Sequence, residues 1–579
     1  MLERADEERS LDLRNTVMTL ACLSLGSNLG DREKSVAEMI RLLSVAPGVK
    51  LVRTSKLYET EPVGLTDQPR FMNAAVTLET EFGPFDLLEI CKGIEARLGR
   101  KEEVRWGPRV ADIDIVLFGS LVMETPFLTI PHPEMHLREF VLEPLCEIAP
   151  EAIHPIFGKK VKELLAGLNE GPFDGRIQYS ACFKIPHGDC SREAKGSRME
   201  EAISKALYDA GVTVAACVPG SGMAGIYESY CKMSGRAPVY SFNEEAAYGM
   251  VYGSALAGAR SAIIYKAQGA AKAANAIADS LTAGVTAGLV TITVDDIECR
   301  HSEGIFDIVP FLRGMGMPFI LARPENVYQC VVDCFKQSEL TGLPFALLVE
   351  SGELACESGA GSVEMPPIPR YSRDIARHLL SPVAAGYQNK VLKARQAGKE
   401  WRGIAKPPAP IIPDSVPEIY RKMMKPFEGF FDVFRSIRVP GDMVCGDTSA
   451  CCLYAFSPYD CIDTSVYYGC SSSIAAGAIL AGLKNVWAIT GDYSFVAAGH
   501  LGLIEAVARE IPLKLVIFHN DKAVTTGGQP IPVGIFERCI APFGDMITRI
   551  SANASAESMK KVLKDMADSK VMRIMIVEM

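Results

Sequence analysis

Residues 105–119 read RWGPRVADIDIVLFG. The stretch Ile113 to Phe118 is apolar and β-branched, which predicts a buried strand. That strand opens on Asp112 and Asp114. Side chains two apart on a strand share one face, so two carboxylates stand side by side and repel unless a cation lies between them. Arg100, Lys101, Arg105 and Arg109 cluster just upstream. Mg²⁺ prefers one or two carboxylates together with phosphate oxygens, and guanidiniums pair with phosphate, so this grouping suits a polyphosphate. Taken alone, the aspartate pair suits a surface salt-bridge network equally well.

Outward from this strand, residues 17–170 alternate strand-like and helix-like patterns. MTLACLSLGSN (18–28) is a strand ending in a glycine turn, SVAEMIRLLSVA (35–46) an amphipathic helix, FMNAAVTLET (71–80) a strand and PFDLLEICKGIEARLGR (84–100) a helix. This order suits a small sandwich with helices packed on one mixed sheet. Residues 171–198 show no sustained period and read as a linker. From 199 to 353 short buried strands such as ARSAIIYKAQG and GLVTITVDD alternate with helices, the pattern of a doubly wound parallel sheet. The proline-rich segment 354–413 reads as a connection, and a second βα run fills 414–579.

Composition narrows function only broadly. A chain of 579 residues suggests several domains, and 48% hydrophobic with 22% charged residues suits globular packing throughout. A net charge of −10 without a basic block argues against nucleic-acid binding. The start, MLERADEERSLDLR, has no apolar signal core, and no apolar run reaches a membrane span. The 17 cysteines are scattered, so a reducing cytoplasm is the expected setting.

The string RWGPRVADIDIVLFG resembles the signature of the 6-hydroxymethyl-7,8-dihydropterin pyrophosphokinases of folate biosynthesis. The resemblance spans about residues 19–168 and includes SLGSNLGD (24–31), LYETEPVG (57–64), DQPRFMNAAV (67–76) and PHPEMHLREFVLEPL (131–145). It implies an α+β ferredoxin-like sandwich. It further implies that Asp112 and Asp114 bind two Mg²⁺ ions bridging the phosphates of ATP, and that Arg100 and Arg109 hold phosphate oxygens. Phe71 and Phe140 match the positions that sandwich the pterin, and Thr60 and Asn73 those that bond its edge. Glu95, Trp106, His132 and Arg138 match nucleotide-side positions. The loop GRKEEVRWGP is one residue shorter than a common family form, which leaves Lys101 as the alternative to Arg100.

A second constellation lies near the C-terminus. GDYSFVAAGHLGLIEAVAREIPLKLVIFHND (491–521) reads strand end, helix, strand, with Asp492 and Asn520 at two strand ends. Parallel strands place such ends at one ligand-binding edge, and their oxygens suit Mg²⁺. The string resembles the thiamine-diphosphate motif that begins Gly-Asp-Gly and closes Asn-Asn, with Tyr493 and His519 as departures. The resemblance implies Mg²⁺ ligation by Asp492, Asn520 and the carbonyl of Lys522. In SFNEEAAYGMVYGSALAG (241–258) it implies an acid for the aminopyrimidine. The spacing to Gly253 picks Glu244, with Glu245 as the alternative.

NEEAAYGMVYGSALAG, CIDTSVYYGCSSSIAAG and HNDKAVTTGGQPIP resemble the α subunit of indolepyruvate ferredoxin oxidoreductase and, more loosely, 2-oxoacid decarboxylases of the sulfopyruvate and phosphonopyruvate type. Two doubly wound thiamine-diphosphate-binding domains are therefore expected. Cys445, Cys451, Cys452, Cys461 and Cys470 do not fit a ferredoxin run, so a separate electron-accepting subunit or ferredoxin, or a reaction without redox, is implied. His301 and His500 are candidate proton shuttles that equally suit structural roles. The expected molecule joins a pterin pyrophosphokinase to a thiamine-diphosphate 2-oxoacid enzyme and is at least a homodimer, with cofactor between subunits. The contrasting expectation makes one half a non-catalytic binding module.

Overall fold

The computed structural model describes residues 18–63, 67–100, 107–169, 197–220, 222–297, 304–359, 361–412, 418–439 and 441–579. Trp106, Lys101, Arg105, His301 and nearly all of the expected linker lie outside the described residues. The chain divides into two compact units. One comprises 1–196 with 320–326 and 357–359; the other comprises 197–319, 327–356 and 360–579. The two α/β regions expected at 199–353 and 414–579 therefore belong together.

The first unit is built on β1 (Thr19–Ser27), β2 (Val49–Thr54), β3 (Tyr58–Thr60), β4 (Phe71–Thr80) and β5 (Asp112–Phe118). The order is β2-β4-β1-β5, with β3 beside β4, and all these pairings are antiparallel. Gly26 faces Asn73 on one side and Asp112 on the other, while Ser24 faces Ala75 and Asp114. Paired residues share a sheet face, so the polar residues of three strands form one patch. Leu23, Leu25, Ile113 and Ile115 alternate to the other face and are buried.

Helix α1 (Arg32–Ser44) starts where Asp31 accepts the N–H of Lys34, and it buries Val36, Met39, Leu42 and Leu43 at helical spacing. Helix α2 (Pro84–Arg97) starts on proline, whose missing N–H has no helical partner there. Both pack against the sheet. Helices α3 (Glu139–Ile148) and α4 (Val161–Asn169) bury Val141, Leu142, Leu145, Val161 and Leu164 against Cys22, Ala75 and Val116. They cover one end of the polar face and leave the other open.

The second unit holds two parallel sheets. In one, Val214–Cys217, Ser261–Lys266, Leu289–Asp295 and Phe345–Glu350 pair in chain order. In the other, Met443–Gly446 lies between Thr464–Ser465 and Val486–Gly491, followed by Lys514–His519, Arg573–Glu578 and Ile547–Ser551.

The segment expected to connect them contains the helices Ile375–His378 and Ala385–Gln396 and is packed into the unit. Arg373 donates from Nε to Asp463 Oδ1 at 2.5 Å, and Arg377 donates to the Val285 carbonyl at 3.1 Å. The guanidiniums of Arg377, Arg395 and Arg402 lie 5.0, 4.1 and 4.5 Å from the centre of the Trp401 ring. Buried Arg395 sits beside Gly284 and Gly342, which follow the helices Ala274–Ala283 and Val327–Thr341. Helix C-termini carry partial negative charge, and this offsets the crowding of cations.

The helices Glu244–Leu256 and Ser471–Leu480 cross in direct backbone contact. A Cβ on Gly253 would collide with the Ile474 carbonyl oxygen, and one on Gly477 with that of Met250. Ser254 Oγ donates to the Gly477 carbonyl at 2.9 Å. Gly477→Ala is expected to cost about 3 kcal/mol, because backbone atoms cannot rotate aside as a side chain can. Gly386→Ala, in a helix with open space around the position, should instead gain about 0.5 kcal/mol. Chemical denaturation of the two variants measures the contrast.

Candidate functional site

The open end of the first sheet forms a cavity of about 270 Å³. Of the residues expected there, Thr60, Phe71, Asn73, Arg109, Asp112, Asp114, Arg138 and Phe140 all line it. Gly26 is its floor: a Cβ there would stand 3.2 Å from Asn73 Oδ1 and 3.7 Å from Phe71 Cδ1. Asn73, 3% exposed, donates through Nδ2 to Thr60 Oγ1 at 2.7 Å, which leaves its carbonyl oxygen free of that bond. Arg109 lies over the Phe71 ring at 5.4 Å and Arg138 over the Phe140 ring at 5.6 Å. Each aromatic wall is thus flanked by a cation.

Asp112 is held by two guanidiniums, Arg100 Nη1 at 2.5 Å and Arg109 Nε at 2.9 Å. Arg100 also contacts Glu95 Oε1 at 2.7 Å. Glu95 is buried and accepts the backbone N–H of Ile113 at 2.8 Å. Glu95 thereby fixes β5 at the peptide between the two aspartates and shares Arg100 with Asp112. Burial, and then the Asp112 carboxylate, push the Asp114 carboxyl up to about 6. A divalent cation between the two aspartates would remove that repulsion, so this donor set fits Mg²⁺. His132 is pushed down to about 4 by burial and by Arg138, and is neutral at physiological pH. Its Nδ1 accepts the Glu134 N–H at 3.2 Å.

Sequence reasoning missed several participants here. Ser24, Gly26, Gln68 and Glu134 also line the cavity. Asn28, 1% exposed, accepts the Arg109 N–H at 2.7 Å and donates to Gln68 Oε1 and the Pro69 carbonyl at 3.1 Å each. It ties two cavity walls to the end of β1. The string SLGSN contained this signal in its paired small and amide residues.

In the second unit a cavity of about 380 Å³ lies at the C-terminal edge of the metal-side sheet. Asp492, Asn520 and Lys522 line it with Thr448, Ser449, Cys451 and Ser494. Asp492 is 1% exposed. Its Oδ2 accepts the N–H groups of Asn520 and Asp521 at 2.7 and 2.6 Å, and Oδ1 accepts that of Tyr493 at 2.7 Å. Burial raises its pKa against the pull of these donors. A buried carboxylate steadied by backbone dipoles suits a cation.

Asn520 Oδ1 accepts the Lys522 N–H at 3.1 Å. Asp492, His519 and Asp521 each place a ligand atom within 4.8 Å of the others, so His519 and Asp521 join the candidate set. His519 contacts Glu578 at 2.7 Å and Asp521 at 3.2 Å. Burial works against its charge, but these carboxylates outweigh burial and raise its pKa.

Glu244 opens its helix behind Asn243, whose side chain accepts the Ala246 N–H. Glu244 Oε2 is 2.8 Å from Lys272 Nζ, and the missing side chain of Gly269 makes room for it. Glu245 instead faces Asn275, which donates to its Oε1 at 3.3 Å. His500 Nδ1 lies 3.1 Å from the Phe495 carbonyl, a local contact within its own helical run. Cys445, Cys461 and Cys470 are buried, and burial raises their thiols. Among the described residues, Cys445, Cys451, Cys452, Cys461 and Cys470 are free thiols, and Cys356 is in a disulfide. No helix among the described residues is long and apolar enough to cross a membrane.

Residues 22–150 match the family described as 7,8-dihydro-6-hydroxymethylpterin-pyrophosphokinase. Residues 446–572 match that described as the thiamine pyrophosphate enzyme, C-terminal TPP binding domain. The chain is 48% identical over 132 residues to the 2-amino-4-hydroxy-6-hydroxymethyldihydropteridine pyrophosphokinase of Bacillus subtilis, covering 23% of this chain and 79% of that one. It is 47% identical over 152 residues to the protein of the same description from Methylorubrum extorquens, covering 26% and 95%. Among solved structures, it is similar to a thiamine diphosphate-dependent 4-hydroxybenzoylformate decarboxylase of Rhodococcus jostii RHA1. That similarity has 15% identity and a TM-score of 0.46, over 66% of this chain and 98% of that one.

The raised carboxyl of Asp114 sets a pH test. Its neutral form is favoured in the fold, so its stabilising contribution is complete below the ordinary value of 3.8 and is lost as pH rises through about 6. At pH 7 the charged form therefore costs stability in the metal-free protein. Asp114→Asn should raise stability at pH 7 by about 2 kcal/mol and change it little at pH 3.5. Metal-free denaturation at the two pH values measures this.

Proposed function

Because the chain belongs, through residues 22–150, to the 7,8-dihydro-6-hydroxymethylpterin-pyrophosphokinase family, we propose that it transfers diphosphate from ATP to 6-hydroxymethyl-7,8-dihydropterin in folate biosynthesis. The observation that carries this reading is the row Asn73–Gly26–Asp112 across three strands, with Asp114 beside it. Phe71 and Phe140 stack on the pterin, and Asn73 and Thr60 read its edge. Arg138 and His132 meet the nucleotide, and the Glu95 carboxylate steadies the strand that presents Asp112 and Asp114.

Mg²⁺ held by Asp112 and Asp114 would neutralise phosphate charge and polarise the transferred group. Arg100 and Arg109, which pair with Asp112 in the ligand-free protein, turn to phosphate oxygens. The pterin hydroxymethyl oxygen then attacks the β-phosphorus. The bond between that phosphorus and the α–β bridging oxygen breaks, and AMP leaves. Positioning and charge neutralisation suffice, with no covalent enzyme intermediate. With the short β3 set aside as an extra strand beside β4, the β-α-β-β-α-β order supports the ferredoxin-like description of this domain.

The C-terminal region is a thiamine-diphosphate enzyme domain. We propose that the second unit acts on a 2-oxoacid and passes electrons to a separate subunit or ferredoxin, as its likeness to indolepyruvate ferredoxin oxidoreductases implies. When bound, thiamine diphosphate would supply nucleophilic chemistry toward a carbonyl carbon. Asp492, Asn520 and the Lys522 carbonyl would hold Mg²⁺ beside the diphosphate. Glu244 donates a proton toward the aminopyrimidine ring. A cytoplasmic homodimer is the expected setting.

Two experiments test these readings. With ATP and the pterin, the full-length protein should release AMP, and Asp114→Ala should abolish turnover; release of ADP would exclude diphosphate transfer. In the second unit, Asp492→Ala should lose thiamine-diphosphate affinity. Glu244→Gln should retain affinity but slow exchange of the C2 proton roughly 10²–10⁴-fold. Quenched NMR in deuterium oxide measures that exchange without knowledge of the substrate. A screen of 2-oxoacids with and without an artificial electron acceptor separates oxidative from non-oxidative chemistry.

A further inference from the structure

Glu505 and Arg509 form a buried ion pair, with side chains 1% and 8% exposed, at the far end of the helical run that begins at Asp492. The run comprises Asp492–Ser494, a π-helical turn Phe495–Gly499 and His500–Ala508. The pair reaches to the segment that leads into Glu244. Glu505 Oε1 accepts the Phe242 N–H at 2.8 Å. Arg509 Nη2 donates to the Val239 carbonyl at 2.8 Å and to Ser241 Oγ at 3.0 Å. On its other side, Ser241 N donates to the Cys217 carbonyl at 2.9 Å.

Such an arrangement is costly unless it fixes something. Burying a carboxylate and a guanidinium far from water is rarely stabilising by itself, whereas loss of one partner leaves an unpaired buried charge. Here every bond the pair makes outside itself goes to backbone or hydroxyl within residues 239–242. Asn243 follows and caps the helix whose first residue is Glu244. The run is also pressed against the small-residue helix next to it, since a Cβ on Gly502 would meet Ser473 Oγ at 2.5 Å. A helix held in this way acts as a rod with Asp492 at one end and the latch at the other.

We propose that Glu505 and Arg509 are positioning residues for Glu244, latching the 239–242 segment to the helical run that starts at the metal-side Asp492. This rests on the reading of Glu244 and Asp492 given above. The latch residues act through the 239–242 segment, from which Glu244 is presented, and not on the cofactor.

The test uses the full-length protein and two double variants that leave no unpaired buried cation. Glu505→Ala with Arg509→Met removes both grips, while Glu505→Gln with Arg509→Met keeps an acceptor for Phe242. In cofactor-free protein, the alanine variant should take up deuterium faster at the Phe242 amide, read by mass spectrometry of a peptide spanning 238–246. With thiamine diphosphate bound, C2 proton exchange should slow about tenfold or more while the dissociation constant stays within about threefold, and the glutamine variant should recover much of the rate.

Unchanged amide uptake, or wild-type C2 exchange in the alanine variant when Glu244→Gln slows it, overturns the proposal. If the unmodified protein binds no thiamine diphosphate, or Glu244→Gln exchanges at the wild-type rate, the functional reading itself fails and takes this inference with it. Should the alanine variant not fold, Arg509→Lys keeps the charge but not the two-acceptor reach; wild-type C2 exchange in that variant overturns the proposal equally.

Discussion

Backbone approach at glycine governs how the second unit is put together. The helices Glu244–Leu256 and Ser471–Leu480 meet where Gly253 faces Ile474 and Gly477 faces Met250. Any side chain at these points would push the helices apart, because the opposing atoms are backbone and cannot move independently. One helix begins with Glu244, and the other follows the loop that carries Tyr467 and Tyr468. Tyr467, fully packed, extends its hydroxyl to the Glu245 carbonyl at 3.4 Å. The spacing between Glu244 and the Asp492 cavity within the chain is thus a consequence of a close crossing.

The first unit uses the same device on a sheet. Gly26 lies between Asn73 and Asp112 in the register, and its missing side chain is the space in which a flat ring can lie. Around that space the protein handles charge in two ways. Asp112 is already balanced by Arg100 and Arg109, while Asp114 is burdened by burial and by its neighbour. A cation beside the pair would relieve this imbalance. Glu95 contributes by holding the peptide N–H between the two aspartates.

Ion pairs in the second unit show a parallel economy. Asp463 receives Arg373 and Arg438 together with the Val444 N–H. Through Arg373 and Arg377 the segment expected to be a loose connection is attached to both of the regions that flank it. Its prolines and charges read as a linker because composition does not reveal that Trp401 sits among three guanidiniums. Arg395 and Arg402 are near Trp401 in the chain, but Arg377 reaches the ring only because the segment folds back on itself.

The strand at Ile113–Phe118, the helices at 35–46 and 84–100, and the aspartate pair were legible from periodicity alone, because alternation and helical spacing are local properties. The chemistry-bearing residues of the first cavity were legible from the motifs that contain them. Gly26, Asn28 and Gln68 were not, since their roles lie in register across β1, β4 and β5 and in side-chain bonds spanning 40 or more residues. In the second unit the sequence marked Asp492, Asn520 and Glu244, but not His519 and Asp521 near the metal-side carboxylate or the Glu505–Arg509 bond to Phe242. The sequence by itself determined which groups carry charge and which segments form strands and helices. Only the tertiary structure decided which of them meet, because hydrogen bonds and close backbone contacts between distant segments depend on register and crossing geometry that no local pattern encodes.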